Sequence, residues 1–481
     1  MKILIKISGV AVALAIAAGC RTTKAVLDDY EKAISTGQYE HPIKETVELA
    51  EKGDDSKLLW QLLSGAACYM ADDKPGARRM FDAAEDTFAK NDQTSVFAQG
   101  GQGALAMMTN DRAFPYDGGG QDRIFTCLYK AIDFMAARDA DAARVELNRV
   151  ARYQANWLYD RRRDIDAAAQ KMEADASAYE KKQEQKAQGD RTQQVNGVLQ
   201  DATFGAQVRE KCNFDPTTSG NLDALAPKDY MNVYAEHVTG VFRWLNNDSD
   251  LNYLRDVASL ASGNSVAIRD YHEQSQGVRP VNQVWIYAED GLCPCREEWR
   301  LDLPLGLFPL VRRYVIYAGM ALPYLRDRSQ GAINWSVNAN GQVVPMAQLA
   351  DVDALVKTEY NVYMRGALPR EVTRTIVKIG SQVALGIAAD HVSDSRARLA
   401  LRVSQYGVAA WAASTTAADL RSWTALPKTV KVARVDRPAD GRLEVAADGQ
   451  RIQLTLPAGN SMVFIRKPGP FATPVVKMVT F

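Results

Sequence analysis

Leu58–Lys90 reads LLWQLLSGAACYMADDKPGARRMFDAAEDTFAK, and within it Gly65, Ala77, Phe81 and Ala84 follow one another at intervals of 12, 4 and 3 residues. That spacing describes two helices folded back on each other. Small side chains at 65, 77 and 84 let the helices approach, and Phe81 is placed to fill the groove between neighbouring hairpins. Asp72-Asp73-Lys74-Pro75-Gly76 supplies the turn, with Pro75 where a second helix would start.

A second unit runs from Leu128 to Tyr153, with Ala131, Phe134, Ala143, Leu147 and Val150 in the equivalent places and Arg138–Asp141 as its turn. The spacing is that of tetratricopeptide-type hairpins. Such hairpins cannot bury their apolar face alone and need neighbours. Segments 28–50 and 231–261 are the candidates, Gly240 followed by Asn252 being a faint echo of the pattern. Generic antiparallel helices are the alternative. Between the units, Ala113–Gly120 (AFPYDGGG) is a loop. Its glycine run lacks the following Lys-Ser/Thr of a phosphate loop, which argues against that chemistry. Leu158, Ile165, Met172 and Tyr179 recur every seven residues along a long polar helix. The seam is too short for a coiled coil between chains and suits packing on one helix of the same chain. Residues 180–197 then turn polar, as a solvated helix end or a linker, so the long helix and linker span about 158–197.

The period changes after about residue 280. Strands are expected at 284–288, 299–303, 314–317, 333–337 and 343–344, with Asn340-Gly341 as a hairpin turn. A helical insert, 347–413, carries two stretches (376–389 and 399–412) that are apolar on nearly all sides and are therefore expected to be buried. Strands return at 431–435, 443–446, 451–456 and 462–466. The expected fold is α+β: a tetratricopeptide-like helical array over 20–279, then an antiparallel sheet domain over 280–481 with its helical insert.

The N-terminus reads as an address. Lys2 and Lys6 precede the apolar run Val10–Ala18, and Ala17-Ala18-Gly19-Cys20 sets small residues before a cysteine. This is the pattern of a bacterial secretory signal over 1–19 with a lipobox, making Cys20 the lipidated first residue of the mature chain. Ala17 stands where lipoboxes usually have Leu. The run is too short to span a bilayer, which takes roughly 20 apolar residues. An Asp after the cysteine would favour the inner membrane; Arg21 is there instead, which points to the periplasmic face of the outer membrane.

Taken together, Pro115-Tyr116, Tyr129, Ala131, Ala143-Arg144-Val145-Glu146, Ala350–Ala354, Arg370–Lys378 and Asp419–Pro427 make the chain resemble a family of uncharacterised bacterial lipoproteins with an N-terminal tetratricopeptide-like region. The resemblance implies architecture and compartment and carries no activity. Family members often have Ala-Pro after the first C-terminal strand, where this chain has Cys293-Pro294-Cys295.

Lys+Arg and Asp+Glu both number 58, so no basic stripe favours nucleic acid. Apart from Cys20 the cysteines are Cys68, Cys127, Cys212, Cys293 and Cys295, an odd number that cannot all pair. Cys293-Pro294-Cys295 has no third ligand near it in sequence, so lone exposed or half-buried thiols are expected there. His41, His237, His272 and His391 show no zinc-protease spacing, and there is no G-x-S-x-G elbow. No catalytic, cofactor or metal residue is assigned. Asp419, Arg421 and Trp423 alternate on one face of an extended segment, where Arg421 is positioned to stack on Trp423. They form either a binding-groove edge or a structural clasp between insert and sheet, the latter preferred. The expected function is a lipid-anchored envelope scaffold that binds a partner protein through its helical repeats. The alternative is an envelope hydrolase or a glycan- or peptide-binding protein acting on cell-wall material.

Overall fold

The computed structural model describes residues 22–93, 109–182, 191–248, 252–302, 312–328 and 333–481. The expected signal segment and Cys20 lie outside the described residues, as do Leu303 and residues 183–190 of the expected linker.

The helical part begins with α1 (Thr23–Ser35), α2 (Glu40–Lys52), α3 (Lys57–Met70) and α4 (Lys74–Gln93). It continues with α5 (Gly120–Ala136), α6 (Ala140–Lys182), α7 (Arg191–Gln200), α8 (Ala202–Cys212), the one-turn α9 (Pro227–Tyr230), α10 (Val233–Leu245), α11 (Asn252–Leu260) and α12 (Ser265–Ser275). Three hairpins, α3–α4, α5–α6 and α10–α11, close through one turn geometry. Asp72, Arg138 and Asn247 sit at φ 56, 61 and 60°. The next residue's N–H, that of Asp73, Asp139 or Asp248, donates back to the carbonyl of Cys68, Phe134 or Arg243, each at 2.9 Å. Gly65, Ala131 and Gly240 all lie seven residues before the left-handed residue of their turn. Ala77, Phe81, Ala84, Ala143 and Leu147 are fully buried, and Phe134 is half-buried beneath Arg78. Phe81 packs on Gly65 within its own hairpin. Helix α3 is apolar all round and buried from Leu58 to Met70.

The β part is α+β in class. A five-stranded sheet has the order β11-β10-β1-β7-β6, where β1 is Gln283–Asp290, β6 Ala347–Asp351, β7 Thr429–Asp436, β10 Ser461–Lys467 and β11 Val475–Thr480. The pair β1–β10 is parallel and the other pairs are antiparallel. A second sheet runs β5-β4-β8-β9, from Trp335–Ala339 (β4), Gln342–Pro345 (β5), Arg442–Ala447 (β8) and Gln450–Thr455 (β9). Strands β2 (Cys295–Asp302) and β3 (Gly319–Arg326) form a ribbon. Period-2 alternation divides the large sheet. Trp285, Tyr287, Phe464 and Val432 face the helices and join one core with Leu58, Phe81 and Leu128. Val284, Ile286, Val463 and Ala433 face Trp335, Val337 and Val445 of the second sheet. The molecule is therefore layered as helices, large sheet, small sheet. The change of period near residue 280 separates two kinds of structure, while one core runs across it.

Several elements differ from expectation. The sequence 314–317 is not a strand. Its Ile316 and Tyr317 N–H groups both donate to the Gln382 side chain at 2.9 Å, so no ladder is needed, and the strand lies at 319–326. The expected insert starts with β6, paired to β7, and then forms the hairpin α13 (Val352–His391) and α14 (Ser395–Thr415). Helix α14 is not buried on all sides, because α13 packs along one flank and α6 meets it only around Trp411. Strand β11 was not expected. The long polar helix is the continuation of the second hairpin's helix, both being α6.

Candidate functional site

Asp419, Arg421 and Trp423 lie in the extended segment between α14 and β7, and all three are buried. Asp419 grips Arg421 with both oxygens, at 2.8 and 2.9 Å. The rest of the fork donates to the carbonyls of Asp55 (2.9 Å), Phe114 (2.9 Å) and Asp111 (3.1 Å). A guanidinium has five N–H donors in a rigid plane, and here each is engaged within the chain. Arg421 does not stack on Trp423. Its guanidinium faces Tyr116 at 5.8 Å, while Trp423 packs against Phe81 (6.0 Å) and Tyr129 (6.3 Å). These residues tie the segment after α14 to the loop around 110–116 and to the turn before α3.

The same loop explains its glycines. The Glu359 carboxylate, carried in from α13, accepts from the Gln121 N–H at 2.7 Å and from Trp157 Nε1 at 3.1 Å. It sits at the N-terminus of α5, where a phosphate would sit in a phosphate loop. A Cβ on Gly119 would lie 2.3 Å from Glu359 Oε2, and one on Gly120 would lie 2.3 Å from the Trp157 ring. The glycine run therefore admits an anion supplied by the chain itself. Burial raises the Glu359 carboxyl above its ordinary value, with nearby Asp122 adding to this.

Glu85, Cys127 and Glu146 bring three possible metal ligands within 4.8 Å of one another. The Lys130 ammonium lies among them, 2.6 Å from Glu85, 2.8 Å from Asp82 and 3.0 Å from Glu146, and Arg149 reaches both glutamates. Two internal cations, Lys130 and Arg149, thus neutralise the two glutamates. The other described cysteines are buried free thiols, including Cys293 and Cys295, which were expected to be exposed or half-buried. Burial pushes the Cys293 thiol up to about 12, which makes it a poor nucleophile.

Two further buried networks join the helices to the large sheet. His237 binds Tyr287 Oη and Asp270, both at 2.9 Å, and Asp270 also takes Trp285 Nε1 (2.9 Å) and Arg434 (2.7 Å). Glu289 accepts from Tyr129 Oη (2.9 Å) and Tyr234 Oη (2.7 Å) beside Arg466. Their members come from distant parts of the chain, and no local spacing announces them.

Polar groups that remain open to solvent gather elsewhere. A groove of about 450 Å³ opens on the small sheet, lined by Asn338, Asn340, Asp440, Arg442, Glu444 and Gln453. Period-2 alternation turns these side chains outward while Val337, Leu443, Val445 and Leu454 point into the core. The floor is held by Gln453 donating to Glu444 at 2.5 Å. Strand β9 forms one edge of this sheet. The alternation was legible in the sequence; the groove depends on how the β4–β5 and β7–β8 turns stand together. Compared with protein families, curated proteins and solved structures, the chain matches none.

Proposed function

We propose that this is a lipid-anchored cell-envelope protein, on the periplasmic face of the outer membrane, that works by binding a partner protein. We place the partner on the small sheet rather than on the helical hairpins. The observation that carries this reading is the open polar groove beside the edge strand β9. An extended partner segment can add to such an edge through its backbone, with side chains reaching Gln453 on β9 and Glu444 on the adjacent β8. The inner face of the hairpins is engaged by the chain itself, since Phe81, Tyr129 and Leu128 share a core with Trp423, Tyr287 and Phe464. A hydrolase using Asp419 and Arg421 would need them to line a cleft, and both are engaged by bonds within the chain.

The test is site-specific photo-crosslinking in intact cells. A photoreactive residue at Gln453 is expected to capture a protein, and one at exposed Glu48 on α2 to capture none. Capture only from Glu48 would move the surface to the helices. No capture from either position would overturn the binding reading.

A further inference from the structure

Helix α14, SRARLALRVSQYGVAAWAAST, is buried only at Gln405, Ala409 and Ala412, where it meets α13. Leu399, Val403 and Tyr406 stand 66, 62 and 63 % exposed, three of the eleven large apolar side chains exposed among the described residues. Their i, i+4, i+7 spacing puts them on one stripe. Arg396, Arg398 and Arg402 flank it, and the helix contains no acidic residue. The nearby acids are already engaged: Asp394 caps the helix by accepting from the Arg396 N–H, and Asp390 is held by Arg402 and Arg313, each at 2.5 Å. An exposed apolar stripe with basic flanks is the composition of a helix lying in a membrane interface.

The first described residues are linked to the foot of this helix. The Thr415 carbonyl accepts from Asn110 Nδ2 at 2.9 Å, and Arg112, two residues on, reaches Thr23 Oγ1 at 3.5 Å. Lys378 adds a further tie by donating to the Thr109 carbonyl and to Thr415 Oγ1. Three residue steps separate Thr23 from Cys20, a reach of about 11 Å at most. An acylated Cys20 would hold the foot of α14 at the lipid headgroups, and the helix is about 31 Å long at 1.5 Å per residue.

We infer that α14 lies on an anionic lipid surface, with Leu399, Val403 and Tyr406 entering the boundary between headgroups and acyl chains and the exposed Arg396 and Arg398 meeting lipid phosphates, while Arg402 stays paired with Asp390. The inference rests on the lipid-anchor part of the proposed function and is independent of the groove on the small sheet. The anchor would then fix the orientation of the protein as well as its location, because two separate points define how a body stands on a surface.

The test uses the full chain carrying Cys20→Ser, so that no acyl chain contributes, in flotation with vesicles of phosphatidylcholine alone or with added phosphatidylglycerol. Binding is expected to the anionic vesicles and to fall by about tenfold on neutral vesicles, in high salt, or with Leu399→Glu plus Val403→Glu. The double variant is expected to keep the wild-type melting temperature, since neither side chain is buried. No binding to anionic vesicles, or binding indifferent to the double variant, would overturn the inference. So would a photoreactive residue at Val403 that captures a protein rather than lipid. Failure of the anchor reading shows separately, as a native chain whose N-terminal residue carries no acyl mass.

Discussion

The ring of Phe81 lies so close over Gly65 that a Cβ at position 65 would stand 2.5 Å from its Cε1 atom. The two positions define a single contact between α3 and α4, and neither side chain is understandable without the other. Gly65→Ala must displace the ring and is expected to destabilise the fold by about 1–3 kcal/mol. Phe81→Ala empties a fully buried site at a cost of about 3–5 kcal/mol. The double variant should lose less than the sum, because the smaller residue at 81 removes the clash at 65. Urea denaturation of the three variants measures the coupling.

Gly119 and Glu359 make a second such pair. Gly119 has φ −90°, so alanine there meets no backbone strain and its effect is steric. Gly119→Ala is expected to destabilise by about 1–3 kcal/mol in the native chain and by clearly less in a Glu359→Ala background, where the carboxylate is gone. Equal penalties in both backgrounds, measured by thermal melts, would contradict the cradle.

The clasp at Arg421 predicts a charge effect. Asp419→Ala leaves a buried guanidinium short of its counter-charge and is expected to cost about 3–5 kcal/mol. Arg421→Lys keeps the charge but cannot span three carbonyls and a carboxylate at once, and should cost about 2 kcal/mol. Denaturation midpoints of both variants, followed by circular dichroism, are the check. A variant that melts like the native chain would show the clasp to be unimportant for folding.

Asp353 gives a pH signature. Burial pushes its carboxyl up to about 6, against the pull of its ion pair with Lys428. An ordinary unfolded aspartate titrates near 4. The folded chain therefore holds this proton more tightly. That contribution to stability is complete below about pH 4 and is lost as the pH rises through about 6. Asp353→Asn should flatten this part of the stability profile between pH 4 and 6. An unchanged slope in the difference between the two proteins would sink the assignment.

The anchor is checked by cell fractionation. Cys20→Ala is expected to move the chain from the membrane fraction to the soluble fraction once membranes are washed in high salt, which removes the electrostatic contact of α14, given that no described helix is long and apolar enough to cross a membrane. A variant still recovered with membranes would show that acylation is not what holds it.

Much of this architecture was legible locally. Asn340-Gly341 closes β4–β5 with φ 53 and 78°, the conformation that this dipeptide favours. The 12, 4, 3 spacing of Gly65, Ala77, Phe81 and Ala84 lies in a true helical hairpin. The segment 314–317 misled because alternating apolar residues look the same whether their N–H groups meet a strand or, as here, a glutamine side chain from α13. Apolar content misled at α14 as well, since composition does not tell how many flanks of a helix are covered. The candidate site fared worse. Asp419 and Arg421 could be singled out, but their partners at 55, 111 and 114 could not.

The sequence by itself determined most of the element types, the hairpin turns and the change from helix to sheet. Each depends on residues within a few positions of one another, where backbone sterics and side-chain period act directly. Tertiary structure alone decided that a glycine run receives Glu359 rather than a phosphate and that Lys130 fills the nearest metal-like cluster. It also decided that Glu289 meets Tyr129 and Tyr234 across 160 and 55 residues. Those outcomes depend on which buried charges meet. Burial makes an unpaired charge costly enough to require a partner, yet leaves the choice of partner to the packing of the whole chain.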